Sequence, residues 1–551
     1  MSHIDEIADR YVDRAAALNP ISATFSGVPG FDDRMPDLSP DGFRAQADLD
    51  RETIAALRAE EPDGESAQVA KDAMLERLGL AVEFHDAGET TRDLNILASP
   101  LQAVRQVFDL MPTEDEQAQH DLAARMSAVP EAYSGLRHTL LESAKDGRAA
   151  ARRQVIACAK QCAEWSAEPD GFYGALVERT GAEGAMRADL ERAAALARQA
   201  TAEFGEFLET ELLPYAPEQD AVGRERYALS SRFFLGAAVD LDDAYAYGWS
   251  EVKRLEAELD RVAGLILPGG TVDDAVAALD TEPGRRIAGK EAFRDWMQEL
   301  ADRTIADLHG KHFDIPEQAR RVECMIAPTS DGGIYYTPPS EDFSRPGRMW
   351  WAVADGVEHF STWREVTTVY HEGVPGHHLQ VAQAVLQPDL NRWRRLMCWV
   401  SGHGEGWALY SERLMEELGY LDDPGELLGM LDGQMLRAAR VVVDLGVHLR
   451  LRIPAGTGWH EGEVWNADLA WEFLRSHVRV EDEMLRFELN RYLGWPGQAP
   501  SYKLGERIWL QAREDIRARK GAAFDLKQFH SSALALGSLG LDPLQKALAR
   551  L

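Results

Sequence analysis

Three histidines and a carboxylate fall within eight residues, in His371-Glu372-Gly373-Val374-Pro375-Gly376-His377-His378. A second cluster follows, Gly404-Glu405-Gly406-Trp407-Ala408-Leu409-Tyr410-Ser411-Glu412. Imidazole nitrogens and a carboxylate oxygen are the ligand set of a catalytic zinc site, which keeps one position open for water. The compact helical form of such a site is H-E-x-x-H, with histidines at i and i+4 on one face and the glutamate as general base. Here the residue four beyond His371 is Pro375, which offers no ligand atom. On a regular helix His377 would lie about 240° round from His371. His378 would face the right way but about 10.5 Å along the axis, too far for one ion with bonds near ~2 Å. A regular helix therefore cannot use this motif. Pro375 has no N–H to bond the carbonyl of His371, and Gly373 and Gly376 make distortion cheap. A two-residue bulge would bring His377 round to His371 and leave His378 behind the ligands or in the core. Glu405 is the candidate third ligand and His403 its competitor. Glu412 lies two turns beyond Glu405 on the same face, where it can accept the second N–H of a ligand histidine. The bland alternative is a cluster of core histidines that holds no metal.

The elements that must position these residues are mainly helical. Over the first three hundred residues, apolar side chains recur at three- and four-residue steps. Met186, Leu190, Ala193, Ala197, Ala200, Phe204 and Phe207 form one stripe, stopped by Pro214. Val252, Leu255, Leu259 and Val262 form another, ended by Pro268-Gly269-Gly270. Thr362-Trp363-Arg364-Glu365 reads as a capping box that starts the helix leading into His371. Further helices are expected over 404–419, 424–452, 460–476, 479–490, 503–519 and 541–551. Between about 315 and 355 the texture changes. Val322–Ile326 and Met349–Val353 are β-prone runs flanking the Ser330–Ser340 stretch. A small antiparallel sheet is expected there. Gly332-Gly333 permits close backbone approach, so Gly333 and Tyr335 are candidates to meet an extended substrate. A surface turn is the equal alternative.

Composition narrows the function class. The 551-residue chain carries 92 acidic against 59 basic residues, a net charge of −33. That excludes the clustered Lys and Arg of a sequence-independent nucleic-acid grip and argues against an anionic membrane surface. The polar start and the absence of a long apolar run point to a cytoplasmic protein. Four cysteines, Cys158, Cys162, Cys324 and Cys398, are too few for a disulfide framework and fit a reducing compartment. Cys158 and Cys162 are expected as buried apolar residues rather than a metal or redox pair. No flexible linker separates the halves. The chain reads as one unit, with a helical scaffold lobe over 1–310 and a metal-site lobe over 311–551.

The stretch His371–Gln380 resembles the H-E-x-x-P-G-H-x-x-Q signature of the bacterial domain-of-unknown-function family 885 (DUF885). Glu405–Glu412 is similar to its E-G-W-A-L-Y-x-E element. Asp444-Leu445-Gly446-Val447-His448, Arg491-Tyr492, Pro496–Ala499, Tyr502-Lys503 and the N-terminal Asn19-Pro20 extend the resemblance over essentially the whole chain. It implies a large, two-lobed helical fold with a central cleft, distantly similar to the thimet oligopeptidase, angiotensin-converting enzyme and Taq carboxypeptidase group. It also implies one zinc ion and a peptidase-like site.

The expected activity is hydrolysis of peptide or related amide bonds, with His371, His377 and Glu405 on zinc and Glu372 as general base. Tyr492, Tyr502 and His448 are candidate donors to the oxyanion, and Arg491 and Lys503 candidate holders of a substrate carboxylate. The rival reading is an inactive protein of the same fold that binds metal and peptide. A peptide or amide small molecule is the expected partner, with the chain a monomer or homodimer.

Overall fold

The computed structural model describes residues 2–168, 171–327, 333–354 and 356–550. Its secondary structure is mainly α-helix, with two small sheets among the described residues. The chain divides into two compact units, Met1–Asp220 and Ala221–Leu551, so residues 221–310 group with the histidine motif.

The first unit is built from amphipathic helices. On Gly184–Phe207 the stripe from Leu190 to Phe207 is buried, while Met186 at its start stays half-exposed. Phe204 stacks on Tyr133 of the helix Glu116–Lys145, with ring centres 4.9 Å apart. Pro214 does not end the helix abruptly. The last turns widen into a π-helix over Leu208–Leu212 and tighten into a 3₁₀ turn over Leu213–Tyr215. Arg125 is fully buried and donates to the carbonyls of Arg34, Phe31 and Pro20 and to the Thr24 hydroxyl, which fastens the N-terminal segment. Cys158 and Cys162 are buried free thiols, and burial pushes Cys158 up to about 12. A group so far from ionising is packing, not a reactive thiolate.

The second unit is arranged on the helix Pro424–Leu449, which is buried along most of its length. It packs against Leu241–Ile266, whose Val252, Leu255, Leu259 and Val262 are all buried. Gly248 makes the approach close, because a Cβ there would sit 2.8 Å from Val441.

The sheet expected near 315–355 forms as β2 (Val322–Ile326), β3 (Ile334–Thr337) and β4 (Gly347–Trp351), but it is mixed rather than antiparallel. β4 lies in the middle. It pairs in parallel with β2, Val322 opposite Gly347, and antiparallel with β3, Tyr335 opposite Trp350. The β3–β4 hairpin places its second strand inside, and β2 then runs alongside it in the same direction. Ser330, Asp331 and Gly332 lie outside the described residues. A second pair, β1 (Arg286–Ala288) with β5 (His359–Ser361), leads straight into the helix Thr362–Glu372.

The capping box expected at Thr362 does not form. Ser361 is the N-cap but makes no side-chain capping bond, its hydroxyl donating to Asp280 instead, and Thr362 donates to the carbonyl of Arg285. Glu365 is taken by the sheet instead, accepting from Trp351 Nε1 at 3.0 Å. A tertiary partner has outcompeted the local cap.

His530 illustrates the cost of a buried imidazole. Tyr410 accepts from Arg513 and donates to His530 Nε2 at 2.7 Å, and the imidazole ring stacks on Phe313. Burial, with help from Arg513, pushes the imidazole down to about 3 from an ordinary 6.5. The unfolded chain therefore binds a proton that the folded one refuses. Stability is full above the ordinary value and falls as pH drops through that window. Urea midpoints measured from about pH 7 to about pH 4 should fall, and the His530→Gln variant should show a slope shallower by up to about 1.4 kcal/mol per pH unit.

Candidate metal centre

The helix carrying His371 and Glu372 ends there. Gly373 closes it by donating to Val369 O, and the chain passes through Val374, a cis Pro375 and Gly376 before a new helix starts at His377. The distortion is thus a full break, larger than the expected two-residue bulge. It is held on both sides. Gly376 N donates to Tyr370 O at 3.0 Å, His378 N to Gly373 O at 3.0 Å, and Trp407 Nε1 to Pro375 O at 2.8 Å. Gly376 has to be glycine, since a Cβ would lie 1.9 Å from the carbonyl oxygen of His371.

This break swings His377 against His371. Their rings meet edge to face with centres 4.8 Å apart. Glu405 Oε2 lies 3.2 Å from His377 Nε2 and 3.4 Å from His371 Nε2. Glu405 sits in the first turns of the helix Ser401–Glu417, where it crosses Ser501–Lys520. The crossing is tight: a Cβ on Gly406 would be 2.5 Å from Gly505 backbone, and one on Gly505 would be 2.1 Å from Gly402 O. Two glycines thereby fix the depth at which Glu405 enters.

His371, His377 and Glu405 offer three ligand atoms within 4.8 Å of one another. Tetrahedral ligands at about 2.0–2.1 Å from zinc are separated by about 3.3 Å, close to the gaps of 3.2 and 3.4 Å from Glu405 to the two imidazoles. The donor set and spacing fit one divalent ion. Glu412 sits behind them. Its Oε1 accepts from His371 Nδ1 at 2.7 Å and its Oε2 from Thr367 at 2.8 Å, which turns His371 Nε2 toward Glu405. Burial alone would lower the pKa of His371, but Glu405 and Glu412 outweigh it and raise it to about 9. Burial would raise Glu405, yet the two imidazoles hold it well below the usual carboxylate range. Glu372 behaves oppositely. Burial raises its pKa against the pull of both histidines, and its Oε2 has no hydrogen-bond partner.

The other sequence candidates fall into two groups. His378 is core: its Nε2 donates to Ala319 O at 2.9 Å, its Nδ1 accepts from Tyr336 at 3.0 Å, and burial pushes it down to about 4. His403 accepts from Gln380 at 3.0 Å and packs on Trp509, outside the ligand group. His448 donates to Tyr492 O at 2.9 Å, and the Tyr492 hydroxyl donates to Glu488 while accepting from Arg440, so both are spent on helix packing. Lys503 is buried between Glu251, Glu506 and Gln434 and has no spare contact for a substrate. Arg491 is shared among Glu488, Gln498 and Tyr502. Tyr502 does reach the centre, its ring 6.3 Å from His371 and nearly parallel to it. Gly333 accepts from Ala352 N, and Tyr335 stacks on Trp350, in β3 at the edge of the sheet.

Sequence reasoning missed Arg437 and Arg440, which lie around Tyr502. A signal existed: Arg440, Asp444 and His448 repeat every four residues along the otherwise apolar stretch 438–449.

Fold and site together define a mainly helical protein in which two buried histidines flanking a helix break meet a half-buried glutamate of a second helix. The chain belongs to the family of bacterial proteins of unknown function DUF885, which matches residues 20–548. Its fold is similar to that of the putative lipoprotein of Colwellia psychrerythraea, at 23% identity and a TM-score of 0.85, with 99% of this chain and 98% of that one covered. A putative lipoprotein of unknown function from Shewanella oneidensis is also similar, at 17% identity and a TM-score of 0.73, with both chains covered in full. No functionally curated protein matches.

Elemental analysis after dialysis against zinc should give about one ion per chain, lost in His371→Ala, His377→Ala and Glu405→Ala. Glu412→Gln should keep the ion but bind it about 10–100-fold more weakly, as loss of an outer hydrogen bond does. His403→Gln should bind it like the parent.

Proposed function

We propose that the chain is a metal-dependent hydrolase of peptide or related amide bonds. The observation that carries this reading is the pairing of the His/His/Glu group with a carboxyl, Glu372, that is buried beside it yet keeps an oxygen unbonded. A purely structural metal site has no use for such a group, and four closed ligands would be its usual form.

A bound zinc ion would supply Lewis acidity, bringing the pKa of water toward about 7 and polarising the amide carbonyl. The chain's own residues supply the rest. Glu372 Oε2 takes the proton of the attacking water and returns it to the leaving nitrogen. Its raised pKa suits a carboxyl that must hold that proton in between. Glu412 fixes the tautomer and direction of His371. Tyr502 is the candidate donor to the developing oxyanion, since Tyr492 and His448 are committed elsewhere. The spent state of Lys503 removes it from substrate binding. On this reading the likeness to the thimet oligopeptidase and Taq carboxypeptidase group extends from motif to chemistry. All the proposed groups come from one chain, so a monomer suffices.

No described helix is long and apolar enough to cross a membrane. Four buried free cysteines support a reducing, cytoplasmic setting. The lipoprotein description belongs to the two similar structures.

The test is a peptide library digested with zinc-loaded protein and followed by mass spectrometry. Cleavage is expected, and Glu372→Gln should retain about one ion while losing about 10²–10⁴-fold in kcat. Full activity in that variant would move the general base elsewhere. Tight peptide binding without any cleavage by the parent would replace the hydrolase with a binding protein.

A further inference from the structure

Three guanidinium groups crowd one tyrosine ring beside the histidine cluster. The Cζ atoms of Arg440, Arg491 and Arg437 lie 4.6, 5.8 and 5.9 Å from the centre of the Tyr502 ring, which itself stacks on His371. They share a single ion-paired carboxylate. Glu488 accepts from Arg440 at 2.7 Å and from Arg491 at 3.2 Å. Arg437 makes no ion pair among the described residues, and its Nη1 donates only along its own helix, to Gly433 O at 3.3 Å. Each of the three also keeps one buried N–H without an acceptor: Nε of Arg437, Nη1 of Arg440 and Nε of Arg491.

Such an arrangement is expensive for packing alone. A buried donor left unbonded loses its hydration with nothing in return, and a buried charge without its counter-charge loses more. The nearby carboxylates do not cancel the surplus by contact. Glu412 is bound to His371 and Thr367, and Glu405 to both ligand histidines. Arg437 is close enough for its charge to act on Glu372 and Glu412, and it is half-buried where Arg440 and Arg491 are buried. It is the member of the trio that an incoming anion can reach.

We propose that Arg437, backed by Arg440 and floored by Tyr502, is the subsite for a substrate α-carboxylate. The enzyme then cleaves the amide next to a free C-terminal carboxylate, releasing a single amino acid from a peptide or an N-acyl amino acid. This rests on the hydrolase reading above. A scissile carbonyl and the carboxylate after it are one extended residue apart, about 3.5 Å, so the two subsites must be neighbours, and Tyr502, in contact with both His371 and the arginines, makes them so. A guanidinium without a partner can take a carboxylate through two parallel N–H···O bonds. A C-terminal amide offers neither the charge nor the second acceptor.

The experiment uses full-length Glu372→Gln protein with zinc present, so that binding is read without turnover. N-acetyl dipeptides with apolar, basic and acidic last residues are titrated calorimetrically, each as free acid and as C-terminal amide. The free acid of at least one should bind ten-fold or more tighter than its amide. Arg437→Gln in the same background should bring the two within about two-fold, with zinc content and circular dichroism unchanged, and Arg437→Lys should restore part of the preference. Equal binding of acid and amide in the parent, a preference that survives Arg437→Gln, or no binding by any dipeptide would each overturn the assignment. The hydrolase reading fails separately, if protein retaining Glu372 binds the acid and leaves it uncut.

Discussion

The carbonyl of His371 sets the constraint on which the centre depends. Two histidines six positions apart cannot meet on a continuous helix, so the helix must stop between them and restart in a new direction. That turn is feasible only because the chain folds back within contact of its own last helical carbonyls. Gly376 lies where any side chain would collide with His371 O. Pro375 removes the N–H that would have extended the old helix, and its carbonyl is instead tied down by Trp407. The indole belongs to the Glu405 helix, so the bond that fixes the break also ties it to the element that carries Glu405.

The rest of the centre is a problem of burying charge. Glu412 and Glu372 are withdrawn from water, and Glu405 largely so, beside two imidazoles. Burial raises the pKa of a carboxyl, and nearby imidazoles lower it. The balance differs by position. Glu405 and Glu412 touch histidine nitrogens and stay anionic, while Glu372 touches none and is pushed up. Three carboxyls of one type thus end in two opposite electrostatic states. Around Tyr502, Arg437, Arg440 and Arg491 bring positive charge beside the centre, with one carboxylate, Glu488, paired to Arg440 and Arg491. A divalent cation on one side and a negatively charged substrate group on the other would complete both halves.

Rigidity comes from glycine rather than bulk. Gly406 and Gly505 let two helices touch backbone to backbone. Gly248 lets the Leu241–Ile266 helix press on the side chains of Val441 and Val442 of the central helix. Backbone-to-backbone contacts leave no rotamer to adjust. They suit a site where an ångström decides whether ligands share an ion.

Residue order alone specified the local facts. The apolar stripes on 184–207 and 241–266 announce helices because burial and helical period coincide there. The proline between His371 and His377 announces a broken helix because no N–H can bridge it. The residue types of the centre, two imidazoles with carboxylates, are legible for the same reason. Selection among equivalent residues was not legible, because it rests on partners distant in sequence. His378 is withdrawn from the ligand group by Tyr336 and Ala319, and His403 by Gln380 and Trp509. Glu365 leaves its cap for Trp351, and β2 runs parallel to β4 because the β3 hairpin claims the other side. Lys503 is consumed by Glu251, more than two hundred residues away, while Arg437 keeps its charge unpaired. A side chain's type travels with the sequence; whether its donors and acceptors are already satisfied depends on what the folded chain brings to meet it.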